Sequence, residues 1–322
     1  MMNLFIDTNV FLSFYHLTND DLEEIHKLAV LIDSGKIILW LPQQVKDEFN
    51  RNRENKISDA MKKLREQKIK PQFPQVCKDY SEYSEIRDLI KTYEVKLSSL
   101  IDKVNTDVVA RTLKADSKIS ELFDKAQIIE NSPELVNKAK LRMDIGNPPG
   151  KDGSIGDAIN WESLLEEISN EEDLYLIVDD KDYYSKLDND KLKDFLIDEW
   201  ESSKSTDVFF YRRLSQFFKE HYPHIKLASE LEKEIAIKDL VNSSNFAKTH
   251  NAIARLLKYS EFNKSQVNEL LQVALTNSQI NLIISDSDVN EFYSHLYHNN
   301  LDQIDEELKE KIIEEFVADE DT

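Results

Sequence analysis

Two short apolar runs, each broken off by acid, constrain this chain more than any other feature. Asn3-Leu4-Phe5-Ile6 ends at Asp7, and Leu174-Tyr175-Leu176-Ile177-Val178 ends at Asp179, Asp180 and Asp182. Short apolar runs of this kind read as strands buried on both faces, which is the habit of parallel sheets covered by helices. In such a sheet the carboxyl ends of the strands share one rim, so acids far apart in sequence converge there. An acid at the mouth of a buried strand is desolvated, which is unfavourable unless something compensates its charge.

Two further acids fit the same pattern. Glu48 lies in Val45-Lys46-Asp47-Glu48-Phe49, and Asp157 follows Gly156 at the start of a helical stretch. Convergent carboxylates without partner cations predict a hard divalent metal site, because oxygen ligands suit Mg²⁺ or Mn²⁺.

The reading along the chain is strand 3–7, helix 9–15, helix 20–34 and strand 37–41. Pro42 breaks that strand, and a helix from about Gln43 carries Glu48. From Arg51 to Arg142 the pattern is helical, punctuated by Pro71, Pro74 and Pro133. Ile86, Leu89, Ile90, Tyr93 and Leu97 recur at helical spacing, and this stripe is assigned to the core. The stretch 144–156 holds four of the five glycines and two prolines, so it reads as a loop bordering Asp157. Residues 174–178 are a buried strand, 208–220 an amphipathic helix, and Ile225-Lys226-Leu227-Ala228 the final strand of the sheet.

With 322 residues, 40% of them hydrophobic, the chain can bury a sizeable core and hold more than one domain. The single cysteine, Cys77, excludes an internal disulfide and a cysteine-based zinc cluster. No run of 18 apolar residues is present, and the N-terminal apolar stretch lacks a basic region before it. No membrane association and a cytoplasmic location are the expectations. A net charge of −21 argues against a general nucleic-acid coat. Locally, Arg51, Arg53, Lys56, Lys62, Lys63, Arg65, Lys68 and Lys70 are opposed only by Glu54, Asp59 and Glu66. A helix carrying them away from Glu48 is suited to guide a polynucleotide, or is a solvated face laced with ion pairs.

Four segments together resemble the motifs of PIN-domain nucleases, in the family's order. They are Phe5-Ile6-Asp7-Thr8-Asn9-Val10-Phe11, Val45-Lys46-Asp47-Glu48-Phe49, Gly156-Asp157-Ala158-Ile159-Asn160-Trp161 and Leu176-Ile177-Val178-Asp179-Asp180-Lys181-Asp182-Tyr183. Asn147-Pro148-Pro149-Gly150-Lys151-Asp152 is similar to a larger bacterial subgroup of the family. The resemblance implies an α/β fold, a PIN-like (Rossmannoid) parallel sheet flanked by helices. It places the PIN-like domain at residues 1–229, with a long helical insertion at about 51–142, and leaves 230–322 as an all-helical C-terminal domain.

Carried over, the resemblance implies Asp7, Glu48 and Asp157 as ligands of Mg²⁺ or Mn²⁺. Asp180 is the preferred fourth acid and Asp182 the second choice, with Asp179 able to contribute through water as well. Asn9 would orient Asp7 or a metal-bound water; Lys151 is a candidate for substrate phosphate contact beside Arg51 and Arg53, and Lys181 is read as a solvated surface lysine. The expected activity is metal-dependent endoribonuclease cleavage of single-stranded or loop RNA. A structure-selective DNA nuclease and a catalytically weak scaffold that binds a protein through 230–322 are the alternatives. His250, His295 and His298 lack a carboxylate or cysteine partner at metal-binding spacing and are read as surface or capping residues.

Overall fold

The computed structural model describes residues 1–16, 18, 20–67, 69–150 and 154–312. Five parallel strands form one sheet in the order β3-β2-β1-β4-β5, with β1 Met2–Ile6, β2 Ile37–Pro42, β3 Gln127–Ile129, β4 Leu174–Ile177 and β5 Val208–Tyr211. The helices of this part are α1 Thr8–Ser13, α2 Leu22–Asp33, α3 Gln43–Glu66, α4 Ser81–Ala110, α5 Lys114–Lys125, α6 Pro133–Asp144, α7 Gly156–Glu167, α8 Asp194–Lys204 and α9 Leu214–His221. The chain divides into two compact units, residues 1–224 and 225–322.

Parallel strands need crossovers, and the helices supply them. From β1 the chain moves outward through β2 to β3, then returns to the other side of β1 to lay down β4 and β5. The direction of winding therefore reverses between β1 and β4, and a crevice opens there at the carboxyl ends of the strands. Register fixes what lines it. Ile6 pairs with Ile177, and the Asp7 N–H donates to the Ile177 carbonyl at 3.0 Å. Asp7 and the acids after β4 are thus held on adjacent strand ends. The strands are buried because their side chains are apolar on both faces: Leu4, Phe5, Leu41, Leu174, Leu176 and Ile177 are fully enclosed.

Helix starts follow local chemistry. Asp7 itself caps α1, accepting from the Asn9 N–H at 3.1 Å, and Asp21 caps α2 through the Glu23 N–H at 2.8 Å. Ser132 caps α6, whose first residue is Pro133.

Four sequence readings are corrected. Residues 208–220 are not one helix: Val-Phe-Phe-Tyr forms β5 against β4, and α9 starts only at Leu214. Aromatic and β-branched residues fit a pleated surface, and pairing with β4 outweighs the helical periodicity. Residues 225–227 form no strand and lead into α10 at Ala228. The insertion is not wholly helical, since β3 pairs with β2 over Trp40, Leu41 and Pro42; three residues are too few to show a period. The stripe on α4 is not core either, for none of its thirty residues is buried.

The second unit consists of α10 Ala228–Val241, α11 Phe246–Leu256, α12 Lys264–Thr276, α13 Ser278–Asn281, α14 Ser287–Asn299 and α15 Glu306–Ile312. It has its own apolar core, including Leu240, Ile253, Leu256, Val267, Leu270 and Val289. His250 does have carboxylate partners: Nδ1 lies 2.8 Å from Asp288 and Nε2 3.3 Å from Asp286. The imidazole is a clamp between α11 and the start of α14, and the Asp288 hydrogen bond holds its pKa above the usual value.

Candidate active site

The β1–β4 crevice gathers the acids. Asp7 is 2% exposed, and burial pushes its carboxyl up to about 7, with Glu48 and Asp180 adding repulsion against the Asn9 and Thr8 amides that favour the charge. A buried carboxylate with like charges near it, opposed among the described residues by backbone amides, is a group that a cation would stabilise.

Asp180 and Asp182 lie in the loop after β4, and Asp157 in the first turn of α7. Their carboxylate oxygens lie within 4.8 Å of one another. The Asp182 N–H donates to Asp180 Oδ1 at 2.9 Å, fixing the Asp180 side chain from its own loop. Glu48, one turn into α3, faces the start of α7. A Cβ built on Gly156 would lie 2.8 Å from Gln44 Nε2 and 3.4 Å from Glu48 Oε2. That close approach is why glycine stands before Asp157.

Tyr183, which the sequence did not single out, sits beneath these acids. It is fully buried, its hydroxyl donates to the Asp157 carbonyl at 3.2 Å, and burial raises its pKa well above the usual value. The charges of Asp157, Asp7, Asp180 and Glu48 add to that shift. One phenol therefore senses all four acids. Lys193 was also missed; its amide donates to the Tyr183 carbonyl at 2.9 Å and its ammonium to the Asp182 carbonyl. Arg142 is buried and binds Glu162 at 2.6 Å, Glu199 at 2.5 Å and the Pro148 carbonyl, pinning the proline loop to α7 and α8. Nothing in helical spacing could reveal such a tie between four separate segments.

The remaining candidates are placed as follows. Asp179 turns away from the cluster to Arg212, at 2.6 and 2.9 Å, and that guanidinium lies 4.9 Å from the Tyr184 ring. Asn9 is exposed and meets Asp7 through its backbone N–H. Arg51 and Lys181 are exposed. Arg53 is not presented to substrate: it is buried, bidentate to Asp116 at 2.6 and 2.5 Å, with the Tyr15 hydroxyl on the same carboxylate. It shares the inward row of α3 with Val45, Phe49 and Ile57. Lys151 lies outside the described residues.

The donor set is composed of carboxylate oxygens, which fits a hard divalent cation and no soft one. A parallel sheet that gathers carboxylates at its switch point defines a class, α/β proteins built to hold such a cation at the strand ends. A family model described as PIN domain matches residues 4–183, more than half of the chain, and the chain belongs to the PIN domain family. PIN domains are generally metal-dependent nucleases, and the acidic cluster is compatible with that activity. No curated protein and no solved structure was found to match the chain. Among the described residues no helix is long and apolar enough to cross a membrane.

Proposed function

We propose that the protein is a metal-dependent endoribonuclease that hydrolyses phosphodiester bonds in single-stranded or loop RNA. The observation that carries the reading is the Asp157, Asp180 and Asp182 cluster, with oxygens within 4.8 Å, beside buried Asp7 at the β1–β4 crevice. Mg²⁺ or Mn²⁺ held by Asp7, Glu48, Asp157, Asp180 and Asp182 would supply a Lewis acid for the phosphoryl oxygens and make water a nucleophile near neutral pH.

The chain's own part is placement. The amides of Asn9 and Asp182 hold the carboxylates of Asp7 and Asp180, and Tyr183 locks the Asp157 turn to the loop after β4. Loss of these ties misplaces the reacting groups, and a 1 Å error costs about a hundredfold in rate. A recessed acidic site suits a strand whose backbone bends into it, which favours unpaired RNA over a duplex. The second unit, with a core of its own, is assigned to binding a protein partner, and the cytoplasm is taken as the site of action.

The test is incubation of pure protein with single-stranded RNA, single-stranded DNA and duplexes in Mn²⁺, Mg²⁺ or EDTA. Internal RNA cleavage only with metal is expected. Preferential DNA cleavage would overturn the substrate assignment, and no cleavage of any polymer would turn the reading to a scaffold.

A further inference from the structure

Helix α4 carries a row of apolar residues that its own chain covers only in part. Ile86, Ile90, Tyr93, Leu97, Leu100 and Val104 alternate at spacings of four and three, the repeat that forms the seam of a coiled coil. None is buried: Ile86 and Leu100 are 40% and 50% exposed, Ile90, Tyr93, Leu97 and Val104 are half-buried, and Leu89, which flanks the row, is 68% exposed. Arg65 of α3 reaches Asn105 near the end of α4, and Phe73 packs edge-on against Tyr83 near its start. Between these contacts Ile86 and Leu100 stay exposed, and the other four seam residues keep part of their surface toward solvent.

Charges beside the seam select the occupant. We propose that α4 pairs antiparallel with α4 of a second copy of this chain. With Ile90 opposite Tyr93 of the second copy, Ile86 meets Leu97 and Leu100 meets Tyr83, each contact made twice by the two-fold axis. In this register the flanking residues oppose unlike charges: Arg87 faces Glu94, and Glu82 faces Lys103, again twice each. A parallel pair keeps only Glu82 against Arg87 and drives Asp107, the next seam position, against its own copy. The observations favour a homodimer over an unrelated helix because the seam and its charges are self-complementary.

The experiment is sedimentation equilibrium of the full-length chain from about 1 to 100 μM, a range that brackets micromolar affinity. A mass rising toward twice 37.6 kDa is expected. Ile86→Glu with Leu100→Glu should leave a folded monomer, since both side chains are exposed. Arg87→Glu should weaken the dimer roughly tenfold by turning two attractions into repulsions, and adding Glu94→Arg should restore it. A monomer throughout, or a dimer indifferent to Ile86→Glu with Leu100→Glu, overturns the proposal. Weakening by Arg87→Glu without rescue by Glu94→Arg overturns the antiparallel register. None of these readouts depends on nuclease activity.

Discussion

The Tyr183 hydroxyl donates to the Asp157 carbonyl at 3.2 Å, joining the loop after β4 to the first turn of α7 beneath the carboxylate cluster. Tyr183→Phe keeps the ring and removes the tie. It should lower stability by about 1 kcal/mol in urea denaturation and weaken Mn²⁺ binding severalfold in calorimetry. Unchanged metal affinity would show that the two segments are held in register without it.

Gly156 leaves space for Gln44 and Glu48. In Gly156→Ala the added carbon meets the flexible end of Gln44 first, so stability should change by less than about 0.5 kcal/mol while metal affinity falls as Glu48 is displaced. Adding Gln44→Ala should recover part of that affinity. Calorimetric titration of the single and double variants checks this.

Asp7 predicts a pH-dependent stability in the metal-free protein. Its carboxyl is raised from the ordinary range to about 7 by burial, so the folded state binds the proton more tightly than the unfolded one. No penalty exists below the unfolded pKa; it grows as pH rises and is complete above about 7. Asp7→Asn should therefore stabilise the metal-free protein little at pH 4 and by on the order of 2–4 kcal/mol at pH 8, while abolishing metal-dependent cleavage. Thermal unfolding at the two pH values, in EDTA, reads the difference.

Much of this frame was legible from local pattern. The runs ending at Asp7 and at Val178 announced buried strands with acids at their mouths, and the rim of a parallel sheet brings such acids together. The β5 strand was hidden because Val208 to Tyr211 also continues the apolar spacing of α9, and only pairing with β4 decides between them. The burial of Arg53 is not legible in a basic run, because helical geometry turns every third or fourth residue inward and the charge pattern alone does not say which. Tyr183, Lys193 and Arg142 act by tying distant segments, and a single sequence carries no signal for that. Asp179 was separable from Asp180 only once Arg212 was seen beside it.

Arg53 and Arg51 should now behave differently. Arg53→Ala removes the charged partner of half-buried Asp116, which keeps the Tyr15 hydroxyl, and should cost roughly 1.5–3 kcal/mol of stability. Arg51→Ser should leave stability unchanged and reduce the salt dependence of substrate binding by about one ion. Chemical denaturation paired with binding across a salt series separates them; a steep salt effect from Arg53 would return it to the substrate surface.

The central claim is that a specific subset of the acids after β4 holds the metal together with Asp157. Calorimetric titration of Mn²⁺ into the wild type and into Asp157→Asn, Asp179→Asn, Asp180→Asn and Asp182→Asn addresses it directly. The account predicts near wild-type affinity for Asp179→Asn, whose carboxylate belongs to Arg212, and at least tenfold loss for the other three. Loss confined to Asp179→Asn, or equal binding by all five proteins, would contradict it.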